Sequence, residues 1–114
     1  MNDCLFCRIV AGDIPADVVA EGDDWLAFRD VHPQAPTHIL VVPRRHIATL
    51  DDLTPSDAPL MGSLIAAAAE IARDEELVGG GYRLAANCGA GAGQSVFHIH
   101  LHLLGGRRFS WPPG

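Results

Sequence analysis

The sequence predicts an α+β domain in which a five-stranded antiparallel sheet packs with one long and one short helix. Three strand-like segments precede a single long helical segment and two follow it, and the connections between consecutive strands are short. This order favours antiparallel pairing over repeated βαβ units, which need a crossover between strands. A chain of 114 residues suits one core, so we expect residues 1–114 to form a single domain.

The first elements are a short helix and three strands. Residues 4–12 (CLFCRIVAG) predict the helix, which Gly12 closes because glycine suits the left-handed conformation at a helix end. A short strand around residues 18–19 and a longer one at 25–30 (WLAFRD) come next. Residues 38–43 (HILVVP) are a nearly continuous apolar run, which predicts a buried strand.

The long helix is predicted over residues 54–75. Thr54 is a suitable N-cap and Pro55 suits the first helical position. One apolar stripe at helical spacing consists of Leu60, Leu64, Ile65, Ala68, Ile71 and Ala72. We expect this stripe to face the sheet.

The last two strands are predicted at 82–87 (YRLAAN) and 96–104 (VFHIHLHLL), joined by the glycine-rich loop 88–95. Histidine occupies every second position of the last strand, at His98, His100 and His102. Alternate side chains on a strand share a face and lie about 6.6–7 Å apart, so the three imidazoles should project together. The residues expected to pack on the core from the other face are Phe97, Ile99, Leu101 and Leu103.

Three aligned histidines indicate either a metal site or covalent chemistry. Imidazole is the commonest metal ligand, but the outer pair would lie about 13 Å apart, too far for all three to share one zinc ion. A neutral imidazole can instead attack phosphorus, and His100, flanked on both sides, is the natural nucleophile. Backbone N–H groups of the preceding glycine-rich loop could then bind phosphate oxygens.

Charge and composition exclude several classes of protein. Eight basic and 14 acidic residues give a formal charge of −6, which argues against a nucleic-acid binder or an anionic-membrane binder. The longest apolar stretch, LIAAAAEIA, contains Glu70 and is too short to span a bilayer. The start MNDCLFC does not resemble a secretory signal, and three cysteines do not suggest a disulfide framework, so we expect a cytoplasmic protein.

Three segments carry a specific resemblance to a known family. HIHLHLL matches the alternating signature of the histidine-triad (HIT) superfamily at every position. GQSVFHIHLHLLGGR, the ending WPPG and FRDVHPQAPTHILVVPRRHI are similar to the Hint branch, the nucleoside phosphoramidases. The resemblance implies a HIT-like fold and a homodimer whose two sheets join into one of ten strands.

The same resemblance implies a catalytic apparatus. It implies binding of purine nucleoside monophosphates and hydrolysis of P–N bonds, as in adenosine 5′-phosphoramidate or AMP linked to lysine. By motif position His100 would form a nucleotidyl-histidine intermediate, His98 and His102 would flank the phosphate, and His38 would support them from the adjoining strand. No catalytic metal is required.

The resemblance also implies a nucleotide-binding set. The phosphate-loop positions are Asn87, Gly93, Gln94 and Ser95, of which Ser95 would also contact the leaving group. Asp30 matches the residue that holds the ribose hydroxyls, and Trp111 one that reaches toward the partner subunit's active site. The apolar base pocket would be formed by Phe6, Ile9, Phe28 and Val31. Simpler roles remain open: core packing for these apolar side chains, a turn for Asp30, a strand end for Asn87 and an unengaged tail for Trp111.

Cys4 and Cys7 supply half of a tetrahedral zinc site by their spacing. Resemblance to bacterial-type members implies that His46 and His98 complete a structural site, which would tether the N-terminal helix to the sheet. Two reduced, metal-free thiols are the alternative.

Three hypotheses follow. The first is a nucleotide-binding hydrolase that uses covalent histidine catalysis. The second is a nucleotide-sensing or scaffolding module whose hydrolysis is incidental. The third, a metal-dependent hydrolase with the triad as ligands, conflicts with the spacing of the histidines.

Overall fold

The structure, a computed structural model, describes residues 3–114. Its strands are β1 (Val18–Glu21), β2 (Trp25–Arg29), β3 (Thr37–Pro43), β4 (Tyr82–Ala85) and β5 (Leu101–Gly105). They form one antiparallel sheet in the order β1-β2-β3-β5-β4. The α-helices are α1 (Leu5–Val10) and α2 (Ala58–Asp74). The predicted α+β fold with a five-stranded antiparallel sheet is therefore confirmed.

Strand β3 lies in the middle of the sheet and contributes alternate side chains to two apolar clusters. Ile39 and Val41 pack in the cluster that includes Leu64 of α2, and both side chains are fully buried. Leu40 and Val42 pack in a second cluster with Phe6 of α1. Because alternate residues of a strand face opposite sides, the two helices cover opposite faces of the sheet.

The short helix is shorter than predicted, with Cys4 as its N-cap and Ala11 as its C-cap. Gly12 follows with φ of +83°, so the predicted glycine terminator is confirmed. The carbonyl of Cys4 also accepts a hydrogen bond from the backbone N–H of Arg8 at 3.1 Å. This turn places Cys4, Phe6 and Cys7 on one short element.

The long helical segment opens with one 3₁₀ turn at Pro55–Asp57, and α2 begins only at Ala58. Asp57 explains this start, because its carboxylate accepts a hydrogen bond from the backbone N–H of Thr54 at 2.9 Å. The placement of Ile65 in the apolar stripe is wrong: it is 52% exposed, and Ala67 is buried in its stead. Within residues 3–114 no helix is long and apolar enough to cross a membrane.

The last strand begins later than predicted, at Leu101 rather than residue 96. Leu101 pairs with Val41, so Ile99 would lie opposite Pro43, which has no N–H for a ladder bond. The N–H of Ile99 instead donates to the carbonyl of Ile47 at 2.7 Å. Ile99, Leu101 and Leu103 are buried as expected, but Phe97 is 47% exposed and does not join the core.

Candidate active site

A cavity of about 640 Å³ opens on the α1 side of the sheet. Its apolar wall includes Phe6 and Ile9 of α1 and Phe28 of β2, and its polar part includes His100 and His102. A cavity with one apolar end and a few convergent polar groups suits a ligand with an aromatic ring and a charged group.

The structure brings the four predicted base-pocket residues, Phe6, Ile9, Phe28 and Val31, to this cavity. Phe6 and Phe28 also belong to the second apolar cluster, with their ring centroids 5.4 Å apart. Val31 lies at the rim and is 85% exposed. Phe6 and Phe28 therefore belong both to the core and to the cavity wall.

The His100 ring is oriented by a hydrogen bond at its Nδ1 atom. Its Nδ1 lies 2.8 Å from the carbonyl oxygen of His98, which can only accept, so Nδ1 carries the proton and donates. In the neutral ring the lone pair is then on Nε2. The edges of the ring meet Phe6, at 5.0 Å between centroids, and His102, at 4.9 Å. His100 is buried, lines the cavity and is oriented by the backbone.

His102 is oriented through His38. The backbone N–H of Gln34 donates to Nδ1 of His38 at 3.0 Å, so the proton of a neutral His38 is on Nε2. That Nε2 lies 2.9 Å from Nδ1 of His102, which must accept. The proton of His102 is therefore on Nε2, the ring nitrogen left to face the cavity that His102 lines.

Burial keeps both members of this pair neutral. Burial lowers the pKa of His102 to about 4, with His100 and His38 acting in the same direction and Asp30 opposing them. Burial also lowers the pKa of His38, and the Asp30 carboxylate opposes this shift. At neutral pH His102 is thus a hydrogen-bond donor and not a cation.

Asp30 lines the cavity and lies beside the histidine pair. One carboxylate oxygen accepts a hydrogen bond from the backbone N–H of His32 at 2.8 Å, an Asx turn. The other lies 3.5 Å from Nε2 of His38. Asp30 is therefore a turn residue and a cavity residue at once.

Only one of the four predicted phosphate-loop residues lines the cavity, namely Ser95. Gln94 is buried, and its side chain bonds the backbone: it accepts from Gly89 N–H at 2.8 Å and donates to Ala48 and Val96 carbonyls at 2.8 and 3.1 Å. Asn87 and Gly93 are neighbours, since a Cβ at Gly93 would lie 3.9 Å from the Asn87 amide nitrogen. The Gln94 side chain holds the loop in shape beneath Ser95.

Trp111 does not line the cavity and is 82% exposed. Its predicted role needs a second subunit, so it stays a prediction.

A cluster of two cysteines and two histidines lies beside the cavity. The ligand atoms of Cys4, Cys7, His46 and His98 all lie within 4.8 Å of one another and could hold a metal ion. Nδ1 of His98 is 3.4 Å from Cys4 Sγ, 3.5 Å from Cys7 Sγ and 3.3 Å from His46 Nδ1, and Cys7 Sγ is 3.2 Å from His46 Nδ1. Nε2 of His98 donates to the carbonyl of Pro43 at 2.8 Å, so its Nδ1 lone pair points into the cluster.

The three histidines of the triad therefore have three different environments. His98 belongs to the cysteine cluster, His100 contacts the backbone and Phe6, and His102 pairs with His38. Asp30, His38 and His102 form a second set whose atoms are close enough for a metal. The facing nitrogens of His38 and His102 are 2.9 Å apart, and the Gln34 N–H makes His38 the donor. This geometry favours a hydrogen bond between the two rings over a metal ion.

Two residues that contribute to the structure of the site were not predicted from the sequence. Gln34 acts through its backbone N–H, which carries no side-chain signal. His32 lines the cavity and closes the Asx turn. The pattern Asp-Val-His-Pro, an Asp just before a proline-containing loop, leaves a turn open for Asp30, but it gives no role for His32.

Comparisons with known proteins agree with this architecture. A model of the HIT domain family matches residues 11–109. A crystal structure of a HIT family hydrolase from Legionella pneumophila is 53% identical, with a TM-score of 0.96 over 98% of this chain and 100% of that chain. A histidine triad protein from Clostridium difficile is 38% identical, with a TM-score of 0.93 over 96% of each chain. An uncharacterized HIT-like protein of Synechocystis is 50% identical over 99% of this chain and 98% of its own length. The chain belongs to the HIT family.

Proposed function

We propose that this protein hydrolyses the P–N bond of purine nucleoside 5′-phosphoramidates through a nucleotidyl-histidine intermediate. The observation that supports this most is the fixed orientation of His100, whose backbone-bonded Nδ1 leaves the Nε2 lone pair in the cavity. The relatives with solved structures described as HIT family hydrolases support the reaction class. The apolar wall would take the base, and Asp30 the ribose hydroxyls.

The first step forms a bond between Nε2 of His100 and phosphorus, and the P–N bond to the leaving amine breaks. The positive charge that develops on the imidazole is stabilised at Nδ1–H by the His98 carbonyl, 2.8 Å away. In the second step water attacks phosphorus and the P–Nε2 bond breaks, with its electron pair returning to Nε2. The attacking water gives one proton to solvent, which balances the proton taken by the leaving nitrogen, and the nucleoside monophosphate leaves with neutral His100 restored. The two steps replace one difficult displacement by two easier ones.

His102 and Ser95 would assist without carrying charge. His102 Nε2–H would donate a hydrogen bond to a phosphoryl oxygen. The exposed Ser95 hydroxyl would contact the leaving nitrogen, which takes its proton from the water that reaches this rim. The assignments of His102 and Ser95 rest on the family resemblance and on the cavity that both line. The roles of Asn87, Gly93 and Gln94 at the phosphate rest on the resemblance alone.

A structural zinc ion is the metal that the cysteine cluster fits best. A tetrahedron with Zn–S bonds of about 2.3 Å and Zn–N bonds of about 2.05 Å has N–S edges of about 3.55 Å and an N–N edge of about 3.35 Å. The cluster has N–S separations of 3.2, 3.4 and 3.5 Å and an N–N separation of 3.3 Å. Bound zinc would tie α1 to the loop after β3 and leave no open position for a substrate.

The experiment that tests this function measures AMP release from adenosine 5′-phosphoramidate. The protein is first treated with a chelator to remove metal, and its fold is then checked by circular dichroism. We expect the wild type to release AMP and His100→Ala to lose at least about a thousandfold in kcat. His32→Ala is the matched control: it removes an imidazole from the same cavity but keeps the backbone turn, so it should retain most activity.

Folded wild-type protein that binds AMP but releases none from the phosphoramidate would contradict the proposal. The nucleotide-binding module would then be the better account. Activity that disappears on chelation while the fold persists would favour the metal-dependent hydrolase.

A further inference from the structure

We propose that Arg107 is a positioning residue that sets the protonated nitrogen of His38, and through it that of His102, by holding the loop at residues 31–36. Its kinetic consequence rests on the proposed function, whereas its structural consequence does not. The motif LLGGR that contains Arg107 has no part in the mechanism above.

Gly106, the residue before Arg107, lets the chain turn tightly against this loop. Gly106 has φ of +89°, and a Cβ there would lie 2.9 Å from Cβ of Pro36. Both facts require glycine, the first because side chains disfavour this φ and the second because proline cannot move aside. The turn after β5 is thus packed directly on the loop before β3.

Arg107, the residue after Gly106, binds the same loop. Its Nε–H donates to the carbonyl of Gln34 at 2.9 Å, and an Nη1–H donates to the carbonyl of Arg108 at 2.9 Å. The guanidinium lies 4.2 Å from the centroid of the Phe109 ring. Arg83 of β4 approaches the same ring at 5.1 Å and donates to the carbonyl of Ser110 at 3.0 Å, so the segment that carries Arg107 is held to the sheet.

From Gln34 the contacts continue into the cavity with a fixed direction. The N–H of Gln34 donates to His38 Nδ1 at 3.0 Å, and His38 Nε2 donates to His102 Nδ1 at 2.9 Å. Each bond fixes the donor of the next, because a neutral imidazole has one N–H and one lone pair. Arg107 holds the Gln34 carbonyl, which belongs to the peptide group after the one that carries the Gln34 N–H. It therefore restrains the backbone of Gln34, and acts on His102 without lining the cavity.

The test combines imidazole NMR with kinetics on full-length protein. In wild-type protein labelled with ¹⁵N-histidine, His38 should carry its proton on Nε2. In Arg107→Ala the backbone of Gln34 loses this restraint, and His38 should show a mixture of the two neutral tautomers. AMP release should then fall about tenfold in kcat with less than about a twofold change in KM, because a remote misplacement of a catalytic group affects orientation more than binding.

Two further variants make the test specific. Arg108→Ala removes the adjacent arginine and should leave the His38 signals and kcat unchanged. Arg107→Lys keeps a donor for the Gln34 carbonyl but loses the planar contact with Phe109, so it should give an intermediate tautomer ratio and kcat. If Arg107→Ala fails to fold by circular dichroism, Arg107→Lys carries the same measurements.

Three results would overturn the inference: a wild-type His38 protonated on Nδ1, an unchanged His38 tautomer in folded Arg107 variants, or equal effects of the two arginine-to-alanine changes. If wild-type protein released no AMP, the proposed function would fail, and the NMR measurements would still decide the role of Arg107.

Discussion

In each histidine of the triad, a hydrogen bond at one ring nitrogen determines whether the other nitrogen carries a proton or a lone pair. A backbone carbonyl holds one nitrogen of His98 and of His100, and His38 holds one nitrogen of His102. The alternation of the three in sequence predicted a shared face, but β5 begins only at Leu101 and His98 lies in the cysteine cluster. His100 as the nucleophile stays a prediction. The sequence could not reveal that the partners are the carbonyls of Pro43 and His98, because those contacts depend on where the strand begins.

Asp30 supplies a prediction at this scale. Asp30→Asn keeps an acceptor for the His32 N–H but loses the charge. If the carboxylate binds the ribose hydroxyls, KM for adenosine 5′-phosphoramidate should rise about tenfold, because two polar groups lose their charged partner. With the 2′,3′-dideoxy substrate the same change should alter KM less than about twofold.

The comparison of the two substrates is the measurement that matters, with wild-type protein run on both. Equal losses on both substrates would show that Asp30 acts through His38, 3.5 Å away, and not through the ribose.

At the scale of elements, α1 joins two sites. Cys4 and Cys7 belong to the metal-ligand cluster with His46 and His98. Phe6, between the two cysteines, contacts His98 and His100, at centroid distances of 6.0 and 5.0 Å. The cysteine spacing predicted half of this ligand set from the sequence alone, and the other half came only from family resemblance. His46 lies 39 positions from Cys7 along the chain and His98 lies 91 positions from it, so no local sequence pattern can pair them with the cysteines.

Removing the metal should therefore loosen the apolar wall of the cavity as well as the N-terminal helix α1. We expect one zinc per chain in wild-type protein and none in the Cys4→Ser/Cys7→Ser double variant. The double variant should melt about 5–10 °C lower, the shift that about 1–2 kcal/mol produces in a domain of this size. Its affinity for AMP should also fall, because Phe6 loses its tether.

Cys88→Ser is the matched control, since Cys88 is exposed and lies outside the cluster. Metal analysis, thermal melts and AMP titration should leave it indistinguishable from wild type. A double variant that keeps its melting temperature and AMP affinity would show that the cysteine pair does not organise α1.

At the scale of the whole molecule, the sheet has two edges with different suitability for pairing. β1 has a register shift between Val18 and Ala20, which interrupts a regular ladder, and β4 has none. The order that places β5 between β3 and β4 was not predicted. The fold class and the antiparallel pairing could be predicted from hydrophobic pattern and short connections. The exact start of β5 could not, because it depends on Pro43 in a distant strand.

We expect a dimer that joins through β4. Light scattering on a sizing column should give twice the 12.1 kDa of one chain. Tyr82→Lys places a charge on the β4 edge and should shift the mass toward the monomer, because edge lysines block strand pairing. Val18→Lys is the matched change on the β1 edge, at a similarly exposed residue, and should not.

A monomeric wild type would contradict this assembly. Dissociation by Val18→Lys alone would show that the dimer joins through β1 and not through β4. Either result would also remove the basis for placing Trp111 in a partner's active site.

The central claim is that His100 itself bonds to phosphorus, and the stereochemistry at phosphorus tests it most directly. The measurement uses one stereoisomer of adenosine 5′-thiophosphoramidate, hydrolysed by wild-type protein in ¹⁸O-labelled water, with the configuration of the product determined. Two successive in-line displacements, at His100 and then at water, predict overall retention. Inversion would mean that water attacks the substrate in a single step, and it would contradict the covalent mechanism.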